Sequence, residues 1–179
     1  MTRRSLLILS VCLAALFLVG CGYTLVGLAS NIPEDVRRVY VEALENQTAR
    51  AQVDQILTDA LISELVTRRR FDLVNAPDEA DAVLRGAVVG FNVRPLTFDN
   101  NGLADNFEIA ITADMRFQRV PQADQDEGDV IWRNARYAFR QDYELEASGA
   151  NFFDREQLAI EETAEDFAQT LVTDLLEGF

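Results

Sequence analysis

Residues 107–118 read FEIAITADMRFQ, and this stretch has the most regular alternation in the chain. Every second residue is apolar, while polar side chains occupy most of the positions between them. Strict alternation is typical of a β-strand with one face on a core and the other in water. The apolar face comprises Phe107, Ile109, Ile111, Ala113, Met115 and Phe117.

Extended segments flank this strand on both sides. Residues 82–98 precede it, and the sequence Asp99-Asn100-Asn101-Gly102 has the composition of a hairpin turn. Within that first segment, the glycines at 86 and 90 predict bulges or close approaches, and Pro95 predicts an edge position or a bend. Residues 130–145 follow as a further strand, with Ala135, Tyr137, Phe139 and Tyr143 expected on its inner face.

Two segments instead have helical spacing. In residues 49–69 the apolar positions are Val53, Ile56, Leu57, Ala60, Leu61, Leu65 and Val66, and residues 46–48 offer capping side chains. Near the C-terminus, Asp154 is expected to cap a helix whose apolar stripe is Ala164, Phe167, Ala168, Leu171, Val172, Leu175 and Leu176.

Shorter strands are predicted at residues 22–27, 36–44 and 71–74, which makes the order β-β-α-β-β-β-β-α. A strand, helix, strand unit implies a parallel pair, and the later hairpins imply antiparallel neighbours. The sequence therefore predicts an α+β fold, a two-layer α/β sandwich. Its mixed β-sheet would carry two amphipathic helices packed on one face, with the other face left polar.

The charge of the chain excludes one class of partner. The formal net charge is -14, from 16 basic and 30 acidic residues, and every basic residue is an arginine. Nucleic-acid binding depends on neutralising phosphates with a basic surface, so we predict no nucleic-acid partner.

The residues used most often in catalysis are scarce. The chain has no histidine, no nucleophile elbow and no phosphate-binding glycine loop. A hydrolase could work with Asp or Glu alone, but among 30 acids a carboxylate pair carries no information. Residues 124–129 are better explained as a solvated turn than as a calcium loop. We predict no enzyme activity, no metal and no cofactor.

The N-terminus has the layout of an export signal: Arg3 and Arg4, then 14 uncharged residues at 6–19, then a small residue. Fourteen residues reach about 21 Å as a helix, which is too short to span a bilayer comfortably. Leu18, Val19, Gly20 and Cys21 resemble the lipobox of bacterial lipoproteins. That resemblance implies cleavage after residue 20 and acylation of Cys21 on its sulfur and its amino group. The alternative is that Cys21 is a small hydrophobic residue ending an uncleaved anchor.

Three arginines are expected on the polar face of neighbouring strands: Arg116, Arg136 and Arg140. They could form a small basic patch for a lipid phosphate. Cross-strand pairing with Glu108, Asp114 or Asp142 is the favoured interpretation of these arginines.

Taken in order, several short stretches resemble the LptE family of lipopolysaccharide-assembly lipoproteins. They are Cys21-Gly22-Tyr23-x-Leu25-x-Gly27, Val39-Tyr40-Val41-Glu42, Asn46-x-Thr48, Ala80-Asp81-Ala82-x-Leu84-x-Gly86, Ile131-Trp132 and the late amphipathic helix. The resemblance implies one periplasmic domain over residues 21–179, tethered by a lipid at Cys21 to the inner leaflet of the outer membrane.

It also implies a role. Such a protein would sit as a plug inside the barrel protein LptD, assist assembly of that barrel and help to deliver lipopolysaccharide to the outer surface. Lipopolysaccharide itself is then a candidate ligand. The alternative is a free-standing periplasmic lipoprotein that binds a soluble ligand or a cell-wall component.

Overall fold

The computed structural model describes residues 32–121, 127–144 and 152–178, with the side chains of residues 152–155 left undescribed. The strands are β1 (Arg38–Val41), β2 (Glu45–Asn46), β3 (Asp72–Leu73), β4 (Ala82–Phe98), β5 (Ala104–Arg119) and β6 (Val130–Glu144). The helices are α1 (Val53–Arg68) and α2 (Phe152–Glu177), and a short 3₁₀ turn spans Pro77–Glu79. The predicted strand at 22–27 lies outside the described residues.

The strands form one mixed sheet in the order β3-β1-β4-β5-β6, with β2 beside β4. The three pairings around β1 and β2 are parallel, and β5 is antiparallel to its two neighbours, β4 and β6. In the first half of the chain, short parallel strands precede and follow α1. The second half contributes the long antiparallel strands, with β4 paired to β5 and β5 paired to β6. The predicted mixed sheet is confirmed.

The core lies between one face of this sheet and both helices. The inner face of β5 is completely buried from Ile109 to Phe117, as its alternation predicts. Both helices pack against this face in one continuous cluster. It contains one valine and three leucines of α1 and the apolar stripe of α2, and it includes Leu57, Leu61, Leu65, Phe167, Leu171 and Leu175. The α+β class is confirmed, with both helices on the same face.

The start of α1 differs from the prediction. Residues 46–48 do not cap the helix, which begins at Val53 after Gln52, a residue with φ of 65° and no side-chain cap bond. Asn46 instead organises the connecting loop, because its Oδ1 accepts from the amide and hydroxyl of Thr48 and its Nδ2 donates to the Arg50 carbonyl. At the other end of the helix, Val66 was expected on the core but is 57% exposed.

Two further positions differ near β6. Asp154 was expected to cap the last helix, but α2 already begins at Phe152 and Asp154 lies inside it. In β6 the register against β5 slips between Asn134 and Tyr137, where two residues of β6 lie opposite one residue of β5. Because of this bulge, Ala135 is exposed rather than inward-facing.

The turn and the close approach in the long hairpin agree with the sequence. The Asp99 carboxylate accepts from the amides of Asn101 and Leu103, and Gly102 has φ of 79°. Register shifts occur beside Gly90 and at Pro95, as expected. Gly86 is a close approach, since a Cβ there would lie 2.5 Å from the carbonyl oxygen of Asp114.

Candidate functional site

The face of β4, β5 and β6 that points away from the helices is the main candidate surface, and we call it the open face. Small side chains are concentrated near its centre: Ala87, Gly90, Ala110, Thr112 and Ala138. They leave a flat surface between them, although two charged side chains lie beside them, since Asp114 is opposite Ala87 and Arg140 is opposite Ala110. Further charged side chains lie towards both ends of the face.

Towards one end, three arginines lie side by side, and we call Arg85, Arg116 and Arg133 the arginine row. Arg116 on β5 is directly opposite Arg85 on β4 and directly opposite Arg133 on β6. Directly opposed residues of antiparallel strands point to the same face with Cβ atoms about 5 Å apart. Three like charges are therefore held close together by backbone pairing.

The outer two arginines have acidic neighbours. Arg85 Nε lies 3.1 Å from Glu42 Oε2, and Arg133 Nη2 lies 3.7 Å from Asp114 Oδ2. The first contact is an ion pair but a poor hydrogen bond, because Arg85 Nε remains a buried donor without a hydrogen-bond partner. In the part of the chain that the structure describes, Arg116 makes no ion pair within 4 Å, although its side chain is half-buried.

Towards the other end, one arginine faces two acids. Arg94, Glu108 and Asp142 oppose one another across the same three strands, and Arg94 Nε lies 2.8 Å from Glu108 Oε1. The hydrogen bond from Arg94 lowers the pKa of Glu108 below its usual range. The arginine of this row therefore has an acidic partner within the chain, whereas Arg116 in the arginine row has none among the described residues.

The predicted patch of Arg116, Arg136 and Arg140 is not brought together. Arg140 lies opposite Ala110, six residues along β5 from Arg116, which is about 20 Å. Arg136 lies in the bulge of β6, and both side chains are exposed. Sequence reasoning missed Arg85 and Arg133 because alternation indicates the face of a residue but not its cross-strand partner. Glu108 and Asp114 do form ion pairs, but with Arg94 and Arg133.

The segment before β1 is held against the ends of β4 and β5 that lie away from the hairpin turn. Ile32 and Val36 are buried, and Arg119 at the end of β5 holds Asp35 through two hydrogen bonds of 2.6 and 2.9 Å. This pairing lowers the pKa of Asp35. Cys21 and the lipobox residues Leu18, Val19 and Gly20 lie outside the described residues, about 11 positions before Ile32.

Asp81 ties the same end of the sheet together. Its carboxylate accepts from the amides of Arg37 and Arg38 at 3.1 and 2.8 Å and from the Arg38 guanidinium at 2.7 Å. The Arg38 side chain is the largest cause, and together these donors lower the Asp81 pKa to about 2. β1 is thereby held against the entry to β4.

Replacement of Asp81 by Asn is expected to lower the free energy of unfolding by about 1 kcal/mol at neutral pH, after allowance for solvent screening. The folded-state pKa is depressed, so this stabilisation is complete above about pH 4 and is lost as the pH falls towards 2. Urea unfolding at pH 7 and pH 2.5 measures it: the difference between wild type and Asp81→Asn should shrink at the lower pH. Asp78→Asn, at an exposed carboxylate nearby, is the control and should leave the free energy of unfolding at pH 7 within about 0.5 kcal/mol of wild type.

Two other surfaces are noteworthy. A groove of about 640 Å³ between α1 and α2 is lined by the carboxylates of Asp59, Glu64, Glu161, Glu165 and Asp166. Across the described ranges, no three His, Cys, Asp or Glu side chains are arranged to hold a metal ion.

At the hairpin tip, Phe98 and Leu103 are 61% and 67% exposed. Within those same ranges, no helix combines the length and the apolar character needed to span a membrane.

Comparison with known protein families identifies the family of this chain. The model of the LptE family, described as lipopolysaccharide-assembly, matches residues 36–175, from the segment before β1 to the last turns of α2. The chain belongs to the LptE family. LptE proteins are non-enzymatic lipopolysaccharide-assembly lipoproteins.

Solved structures share the LptE fold at low identity. A PelC L103M dodecamer from Paraburkholderia phytofirmans is 18% identical with a TM-score of 0.50, covering 79% of this chain and 90% of that one. The rare lipoprotein B from Shewanella oneidensis is 15% identical with a TM-score of 0.50, covering 78% and 93%. The hypothetical protein CT253 from Chlamydia trachomatis is 12% identical with a TM-score of 0.50, covering 80% and 97%. These similarities establish the fold alone, and a search of curated proteins found no match.

Proposed function

We propose that this chain is an outer-membrane lipoprotein that works with the barrel protein LptD, as plug and assembly chaperone of the barrel, in delivering lipopolysaccharide to the cell surface. The family match over residues 36–175 is the observation that carries this proposal. The subunit would act by shape and contact, without catalysing a reaction.

The shape of the domain supports a plug. β4 has 17 residues and β5 has 16, so the hairpin is about 55 Å long, enough to reach across a membrane of about 40–45 Å including its head groups. One face of its sheet is covered by both helices, while the open face is flat and half-exposed. A rigid body of this kind can fill a lumen and contact its wall over a large area.

We further propose that residues 1–20 are a cleaved signal peptide and that Cys21, preceded by Leu18, Val19 and Gly20, is the acylated first residue of the mature domain at 21–179. Since Ile32 is already buried, only about 11 residues, at most about 40 Å of chain, would join the lipid to the packed domain. Two or more acyl chains hold a protein stably on a membrane, whereas one does so marginally. The domain would then stay at the periplasmic face of the outer membrane.

Purification from detergent-solubilised outer membranes tests the LptD partnership. A C-terminal affinity tag on the wild-type chain should recover LptD in a near-equimolar complex. Migration of the lipoprotein alone under conditions that keep the barrel intact would contradict the proposal and would favour a free-standing lipoprotein with another ligand.

Replacement of Cys21 by Ala tests the anchor. We expect complete loss of labelling by radioactive palmitate and release of the protein from the membrane fraction, because no other residue of the mature chain is a cysteine. Cys12→Ala is the matched control and should leave labelling unchanged, since that cysteine lies within the proposed signal. Labelling that persists in the Cys21→Ala protein would disprove acylation at this residue.

A further inference from the structure

We propose that Arg116 is the receptor for a carboxylate on the wall of the barrel partner, which docks against the open face of the sheet. The inference rests on the function proposed above and adds to it a surface and a chemistry. It starts from a charge arrangement that is unfavourable in the isolated chain.

The arrangement is local and specific. Like charges directly opposite each other on paired strands are destabilising, and Arg116 has one on each side. Glu42 and Asp114 lie against the outer arginines of the row, while Arg116 makes no ion pair in the described part of the chain. Exposed arginines such as Arg136 and Arg140 are satisfied by water, but the side chain of Arg116 is half-buried between its neighbours.

The surroundings favour a single carboxylate. A groove of about 340 Å³ beside the row is lined by Arg85 and Arg116 but also by Glu42, Glu45 and Asp114. The groove is thus lined by three acids and two arginines, and the chain carries a net charge of -14, so a polyanion is repelled at long range. One guanidinium without an ion pair matches one planar carboxylate, which it can bind through two parallel hydrogen bonds.

The rest of the open face favours a protein surface as the source of that carboxylate. Ala87, Gly90, Ala110, Thr112 and Ala138 make the centre flat, so a partner wall can lie close to the sheet and exclude water from Arg116. Exclusion of water strengthens a charge-assisted hydrogen bond. Towards the other end, Arg94 already forms an ion pair with Glu108, so it needs no carboxylate from a partner.

The test compares charge-reversed variants in two measurements. Tagged wild-type, Arg116→Glu and Arg69→Glu proteins are each purified with co-expressed LptD, and each is also melted alone. Arg116→Glu should reduce recovery of LptD at least about tenfold, because the reversed charge would place two carboxylates against each other. The same variant should melt at an equal or higher temperature than wild type, because Glu between two arginines removes the repulsion. Arg69 is an exposed arginine just after α1, on the helix side of the sheet, so Arg69→Glu should behave as wild type in recovery.

Four other results would overturn the inference. Recovery of LptD by Arg116→Glu at the wild-type level would exclude the proposed pairing. Loss of binding to lipopolysaccharide micelles with unchanged recovery would assign Arg116 to a phosphate instead. A lower melting temperature of Arg116→Glu would contradict the unfavourable charge arrangement from which the inference starts, and normal recovery of LptD with Arg116→Gln would likewise exclude the pairing. If wild type itself fails to recover LptD, the function proposed above fails instead, so the two failures are distinguishable.

Discussion

Replacement of Phe167 by Ala is expected to lower the free energy of unfolding by about 4 kcal/mol. Phe167 is completely buried on α2, and its ring meets Tyr137 and Phe139 of β6 edge-to-face, at 5.5 and 6.0 Å between centroids. Truncation of a buried Phe removes its transfer free energy and leaves a cavity, which together cost about 3–5 kcal/mol. The geometry of the aromatic pairs adds to that cost.

Thermal and urea unfolding followed by circular dichroism measure this effect. For a chain of this size we expect the midpoint to fall by about 10 °C. Leu158→Ala is the control on the same helix, because Leu158 is 55% exposed and its truncation should change stability by less than about 0.5 kcal/mol. Equal effects of the two substitutions would contradict the packing of α2 on β6.

The second large effect is expected at Gly86, where replacement by Ala should cost about 3 kcal/mol. The added Cβ would lie 2.5 Å from the backbone carbonyl oxygen of Asp114 and 2.5 Å from the Sδ of Met115. The sulfur can move, but the carbonyl belongs to the β4 and β5 ladder, so relief requires a shift of the strand itself. Overpacking of this kind costs about 1–3 kcal/mol, and displacement of the ladder adds to it.

Two comparisons separate backbone contact from a general intolerance of side chains in β4. Gly90→Ala would place its Cβ 3.3 Å from the Cβ of Thr112, a side-chain contact on the open face that can adjust, so it should cost less than about 1 kcal/mol. Met115 is itself completely buried, so Gly86→Ala is also compared with Gly86 in a Met115→Ala background. The cost of Gly86→Ala should be the same in that background, because the carbonyl remains in place. A much smaller cost there would show that the sulfur, and not the ladder, limits the approach.

The regular alternation of residues 107–118 was sufficient to predict which face of β5 is buried, because a period of two leaves only one assignment for each side chain. It was not sufficient to predict the arginine row. The partner of Arg116 depends on the register of β4 and β6, and both strands contain irregularities, beside Gly90 and between Asn134 and Tyr137. A bulge adds one residue without a clear local signal.

The helix boundaries were less predictable for a related reason. Asn46 and Thr48 are good capping residues, and the structure uses them, but to close the loop before the helix rather than to cap α1. Competition between a turn and a cap for the same side-chain oxygen is decided by tertiary packing. Val66 follows the buried Leu65 at the end of α1, where its apolar character alone did not determine its 57% exposure.

The arginine row also bears on how this protein would respond to laboratory selection. In a minimally frustrated chain all local interactions favour the native fold. In the isolated subunit the interactions of Arg116 do not, because it lies between two like charges. Selection for heat resistance or high yield of the subunit alone would therefore tend to replace this arginine by an acidic or neutral residue. Such a variant would look improved in every assay of the purified protein, and its defect would emerge only when it is expressed together with its barrel.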